Sequence, residues 1–152
     1  MAKRDLPQIY FDEHIKPDVI EAFKDEGFKC LLIAKTRKYA GKDEKDYIME
    51  IYAEGKLFAT SDVAFISYVL EQNIKHAGIV GIPPDSDKTT RNDVSVLAEI
   101  IKAYISGGGK NILRKSIIYV ARDGYRLIDP QGKGTLLLSW DALAIDNDIL
   151  EY

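Results

Sequence analysis

Residues 8–34 read QIYFDEHIKPDVIEAFKDEGFKCLLIA, and this stretch decides the fold class. Gln8-Ile9-Tyr10-Phe11 is a short β-prone run that ends at Asp12. Pro17-Asp18 opens an amphipathic stretch with Val19, Ile20 and Phe23 along one side. Gly27 stands where a glycine closes a helix. Phe28 to Ala34 is a second apolar run of the kind that forms a buried strand. Strand, helix and strand at this spacing form a βαβ unit, which carries a parallel sheet.

The pattern continues outward. Lys35 to Lys42 is a basic loop, and Asp43 to Glu54 reads as a helix with Ile48, Ile51 and Tyr52 on its apolar side and Gly55 as its stop. Lys56 to Thr60 is a third strand, Phe65 to Leu70 is helical, and Ala77 to Ile82 is a fourth strand ahead of Pro83-Pro84. Asp93 to Ile105 is the longest helix, with Val94, Leu97, Ile100, Ile101 and Tyr104 in period. The expectation is an α/β fold, a parallel sheet flanked by helices on both faces, with right-handed crossovers. After Gly107-Gly108-Gly109 the pattern changes. Ser116 to Ala121 and Tyr125 to Ile128 flank Arg122-Asp123-Gly124, a hairpin signal, and Thr135 to Trp140 supplies a further strand. Residues 1–106 are thus expected to form the α/β domain. Residues 107–152 are read as a glycine hinge and a small C-terminal antiparallel β appendage.

The chain has 152 residues, 46% hydrophobic and 30% charged, the range of one globular domain. A single cysteine, Cys30, excludes an internal disulfide and a cysteine metal cluster. Two histidines, His14 and His76, argue against a histidine zinc site and read as structural. No apolar run approaches the ~20 residues of a bilayer span. The N-terminus also lacks a signal-peptide core, so a cytoplasmic location with no membrane partner is expected. The net charge of −3 gives no global case for nucleic acid, so any such case must be local.

In open parallel sheets ligands bind outside the carboxyl ends of the strands. Asp12-Glu13 follows the first strand, Ser61-Asp62 the third, and Asp43-Glu44-Lys45-Asp46 opens the helix after the second. Acids at one edge repel and raise one another's pKa, and a hard divalent cation such as Mg²⁺ or Mn²⁺ relieves this. Any one of them is equally at home as a helix cap, Asp43 especially. Thr60 is placed to hydrogen-bond a carboxylate. The basic loop lies on the same edge. There Lys35, Arg37, Lys38 and Lys42 suit RNA phosphates and Tyr39 suits base stacking. Lys110, Arg114 and Lys115 form a weaker basic group. No serine elbow or phosphate loop is present.

Three blocks carry a family resemblance. Tyr10-Phe11-Asp12-Glu13-His14-Ile15-Lys16-Pro17, followed by Gly27, resembles the opening Asp-Glu-Asn-Leu-Pro-Pro block of short PIN-like proteins. Gly55-Lys56-Leu57-Phe58-Ala59-Thr60-Ser61-Asp62-Val63-Ala64-Phe65 resembles the family's Gly-x-x-x-x-Thr-x-Asp-x-Asp-Phe block, and His76 to Val80 its fourth strand. The blocks occur in order over about residues 8 to 105. The resemblance implies a three-layer PIN-like fold and a Mg²⁺- or Mn²⁺-dependent endoribonuclease, of the kind found as toxin components of toxin–antitoxin pairs. RNA, an antitoxin protein and a second copy of the chain are the implied partners. Position by position, Asp12 and Asp62 match family acids. Counting back from Gly55 places the remaining acid at Glu44, and counting forward from Gly41 places it at Asp43. Helical spacing favours Glu44, with Asp46 and Glu13 as lesser candidates. Asp12, Glu44 and Asp62 are the implied catalytic and metal-binding residues. Ala64 departs from the pattern, since the family commonly has a second aspartate there. A module that binds RNA or a partner without cleaving is therefore the alternative. A phosphoacceptor domain built on Asp12 expects a lysine after the last parallel strand, where Ile82-Pro83 stands.

Overall fold

A computed structural model describes residues 6–82, 91–106, 115–121 and 123–139. The chain runs β1 (Ile9–Phe11), α1 (Pro17–Asp25), β2 (Cys30–Leu32), α2 (Glu44–Ala53), β3 (Leu57–Thr60), α3 (Val63–Gln72), β4 (Ile79–Gly81), α4 (Arg91–Tyr104), β5 (Ile117–Ala121), β6 (Gly124–Ile128) and β7 (Gly134–Ser139). The strands form one seven-stranded sheet in the order β2-β1-β3-β4-β5-β6-β7. Neighbours from β2 through β5 are parallel, and β6 and β7 are antiparallel additions. The expected α/β class is therefore observed.

Alternation along each strand sorts the core into two layers. Ile9 and Phe11 of β1, with Leu57 and Ala59 of β3, face α1 and α4, where Phe23, Leu97 and Ile101 are buried. Tyr10 and Phe58 face the other way, onto Tyr47, Ile48 and Ile51 of α2 and Phe65 and Val69 of α3. β1, β3 and β4 are buried on both sides, so their sequences read as continuous apolar runs. The hydroxyl of Tyr125 in β6 donates to the Asp93 carbonyl of α4 at 2.7 Å, tying the C-terminal strands to the same layer.

Three details differ from expectation. The steps from β3 to β4 and from β4 to β5 go the same way across the sheet, yet α3 and α4 lie on opposite faces. The two crossovers therefore have opposite hands, and one departs from the right-handed rule. What α4 gains is the place beside α1, whose partner on that face would otherwise be missing. Second, β5 pairs with β4 in parallel register, Ile118 opposite Val80, so the appendage continues the main sheet. Third, Ala121 already pairs with Gly124, so Gly124 belongs to β6 and not to the turn. Its φ of +144° and the close approach of Leu138 and Ser139 in β7 leave no space for a Cβ there. The glycines at 107–109, Lys110, Arg114, Pro83-Pro84 and Trp140 lie outside the described residues. Among the described residues no helix is long and apolar enough to cross a membrane.

Candidate functional site

β2 lies on one side of β1 and β3 on the other, so the connection order reverses between β1 and β3. In open α/β sheets the ligand crevice opens at such a switch point, outside the carboxyl ends. Asp12 follows β1 and Asp62 follows β3, which pair directly with Phe11 opposite Ala59. The Asp12 N–H donates to the Ala59 carbonyl at 3.0 Å, extending the ladder to the carboxylate itself.

Asp12 is only 7% exposed, and its burial is compensated by hydrogen bonds. Oδ2 accepts from the Thr60 hydroxyl at 3.1 Å, and Oδ1 accepts from the Glu13 N–H at 2.7 Å. The Thr60 oxygen in turn accepts from the Asp62 N–H at 3.1 Å. Thr60 thus links the two acids across the strand pair from a fully buried position. The Asp62 carboxylate caps α3, accepting from the Phe65 N–H at 3.1 Å.

The third acid comes from α2. Asp43 is the N-cap, accepting from the Lys45 N–H at 3.4 Å, and Glu44 is the first helical residue. The Glu44 carboxyl is pushed up to about 7. Burial is the largest cause, followed by its hydrogen bond with Asp43 and then the negative charges of Asp12 and Asp62. The same shared proton holds Asp43 below the usual carboxylate range. Glu44, not Asp43, is thus the α2 acid that senses the other two. Asp46 is exposed in the same first turn, and Glu13 turns to the basic loop, where Oε1 accepts from the Gly41 N–H at 3.0 Å.

Tyr47 escaped the sequence reading. It is buried one turn from Glu44, against Tyr39 and Phe58 at ring distances of 5.4 and 5.7 Å. Burial raises its phenol well above the ordinary range, and the charges of Asp12, Glu44, Glu13 and Asp43 add to this. Its i+3 spacing from Glu44 is the signal that places both on one helix face.

Tyr39 requires a correction. It is 1% exposed, and its hydroxyl donates to Glu54 Oε2 at 2.7 Å, at the far end of α2. A ring so enclosed has no face for a base. The Tyr10 hydroxyl and the Lys56 ammonium reach the same Glu54 carboxylate, and Lys38 lies 3.7 Å from it. Tyr39 is therefore the anchor of the basic loop. Lys35, Arg37 and Lys42 remain exposed on it. His14 is exposed, and His76 is buried at the opposite edge of the sheet.

Among the described residues, no three acidic, histidine or cysteine side chains are gathered closely enough to hold a metal ion as they stand. The donors nonetheless fit a hard cation in kind. They are all carboxylate oxygens, and the charges of Asp12 and Asp62 add to the burial that raises Glu44. No protein-family model matches the chain, and neither a curated protein nor a solved structure matches it.

Proposed function

We propose that the protein is a divalent-metal-dependent endoribonuclease of the PIN-like type, acting as the toxin component of a toxin–antitoxin pair. The observation that supports this is the meeting of Asp12 and Asp62, linked through Thr60 at the switch point of the sheet, with Glu44, whose carboxyl burial pushes up to about 7 and whose charge they oppose. Asp12, Glu44 and Asp62 would hold Mg²⁺ or Mn²⁺, which when bound activates water and stabilises charge at a phosphodiester. Thr60 fixes the rotamer of Asp12, so the buried carboxylate presents a constant geometry. Glu44 would have to be deprotonated to join Asp12 and Asp62 as a ligand, and Lys35, Arg37 and Lys42 would hold the flanking RNA phosphates. The test is cleavage of single-stranded RNA with Mn²⁺, with EDTA and Asp12→Asn as controls. Cleavage that survives both would sink the proposal.

A second reading, a module that binds RNA or a protein partner without cleaving it, is favoured by the present use of the acids. Asp62 and Asp43 are occupied as helix caps, and the exposed Ala64 adds no carboxylate. RNA binding without cleavage in Mn²⁺ is the outcome expected of it.

A further inference from the structure

The amino edge of the sheet, opposite the acids, carries a cavity of about 370 Å³ between the end of α3, the residues leading into β4 and the β6–β7 turn. His76 lines it and is 3% exposed. Its Nδ1 accepts the Gly78 N–H at 3.1 Å, so the ring proton sits on Nε2. Among the described residues that N–H has no acceptor. Among the described residues no side-chain nitrogen or oxygen is both fully buried and unpartnered, so Nε2–H opens onto the cavity. Burial, followed by the nearby Lys115 charge, lowers the imidazole to about 4, which keeps it a neutral donor at physiological pH.

Lys75 and Lys115 also line the cavity, and the Lys115 charge is near enough to act on the ring. Lys115 has a φ of +67°, unusual for a lysine, and its N–H donates to the His76 carbonyl at 3.1 Å. That bond fixes the residue beside His76 despite the strain of a left-handed backbone. Asp129, the one carboxylate on the described wall, turns into its own loop and accepts from the N–H groups of Gln131 and Lys133 at 2.9 Å each. The two ammonium groups also exceed the partial negative charge at the end of α3. Leu70, Ile74 and Pro130 make an apolar wall, and Leu70 is 43% exposed.

We propose that this cavity binds a small organic phosphate. The phosphate is held by His76 Nε2–H and the Lys75 and Lys115 ammonium groups, and the apolar body lies against Leu70, Ile74 and Pro130. The volume falls within the ~300–1,000 Å³ of small-molecule sites. Lysines serve phosphate as point charges, whereas the planar fork that matches a carboxylate belongs to arginine, and no arginine is present on the described wall.

The test titrates the full chain with phenyl phosphate, inorganic phosphate and phenol, by calorimetry and by ¹⁵N NMR of the Gly78 amide and the His76 ring. Phenyl phosphate is expected to bind about tenfold or more tightly than either half and to shift both signals. The double variant Lys75→Ala, Lys115→Asn retains the fold, since asparagine tolerates positive φ, and is expected to lose binding about tenfold or more. Asp12→Asn, at the other edge, is expected to bind phenyl phosphate as the wild type does. The proposal is overturned by unmoved Gly78 and His76 signals, by equal binding of phenol, or by wild-type affinity in the double variant.

Discussion

The Thr60 hydroxyl donates to Asp12 Oδ2 across 3.1 Å, joining two residues 48 positions apart at the carboxyl edge of β1 and β3. Both are buried, so little water competes for the bond. Thr60→Val keeps the shape and removes the donor. A hydrogen bond to a charged group is worth ~1.5–3 kcal/mol, and a loss of that order is expected in urea unfolding. Thr60→Ser, which retains the hydroxyl, is expected to lose less. If valine is as stable as threonine, the link does not hold Asp12.

Glu44 gives the protein a specific pH dependence. Its folded pKa of about 7 lies above the ordinary glutamate value of 4.5, so the folded state binds this proton more tightly than the unfolded chain. The resulting stability is fully present below about 4.5 and is lost as pH rises through about 7. Asp43 shifts the other way, and its contribution is lost only as pH falls below the ordinary aspartate range. Melting temperature without metal is therefore expected to fall between these two pH values, and Glu44→Gln to flatten that fall. Under the proposed function, Mn²⁺ added near pH 6.5 is expected to release a proton, read by calorimetry in buffers of different ionisation enthalpy. A wild-type slope in Glu44→Gln would show that another group carries the titration.

Tyr39 and its neighbours on the basic loop divide into two roles. Tyr39→Phe removes the hydroxyl bonded to Glu54 and is expected to cost ~1–3 kcal/mol of stability while leaving RNA affinity unchanged. Lys35→Ala, Arg37→Ala and Lys42→Ala are expected to leave stability nearly unchanged. Each would weaken RNA binding and reduce the salt slope by about 1. Filter binding at several salt concentrations separates the two. A Tyr39→Leu variant, which removes the ring, with wild-type stability and weakened RNA binding would restore the stacking role.

Much of the fold is legible because its signals are local. Gly27 and Gly55, the apolar runs and Asp43 mark boundaries that the structure keeps within a few residues. The second strand is shorter than its sequence, because Ile33–Lys35 turn into a 3-10 helix and the Thr36 hydroxyl donates back to the Leu32 carbonyl at 2.7 Å. The pairing of β5 with β4 has no local signature, since it joins residues on either side of α4. Topology likewise explains the site: once β1 and β3 are neighbours, Asp12 and Asp62 follow. The enclosure of Tyr39 does not follow, because a tyrosine in a basic loop reads the same whether it stacks on a base or on Tyr47.

Gly124 is expected to be the least tolerant glycine of the C-terminal strands. An alanine Cβ there would collide with the Leu138 carbonyl and Ser139, both backbone, so no rotamer relieves it. Gly124→Ala is expected to cost more than ~1 kcal/mol and to free β7. Raised amide exchange at Thr135 to Ser139, with β1 to β4 still protected, is the expected pattern. The exposed Gly132, whose φ is +85° but whose Cβ position is open, is expected to lose less when changed to alanine.

Asp12→Asn separates the charge of this carboxylate from its shape. Asparagine keeps an oxygen for the Thr60 hydroxyl, so the buried link survives, while the negative charge acting on Glu44 disappears. The Glu44 carboxyl is then expected to titrate lower, and stability above pH 7 to rise, because the repulsion is relieved. Under the proposed function the same substitution abolishes Mn²⁺ binding and RNA cleavage. The two effects have opposite signs, gained stability and lost activity, which a simple folding defect does not produce. Ala64→Asp is the converse test. Ala64 is exposed in the first turn of α3, two residues after Asp62, where an added acid suits the helix dipole and costs little. It is expected to tighten Mn²⁺ binding by several-fold in calorimetry if Asp12, Glu44 and Asp62 form the cation site. If Asp12→Asn binds Mn²⁺ as the wild type does and Ala64→Asp changes nothing, the acids serve only as caps and links. The partner-binding module then takes the place of the nuclease.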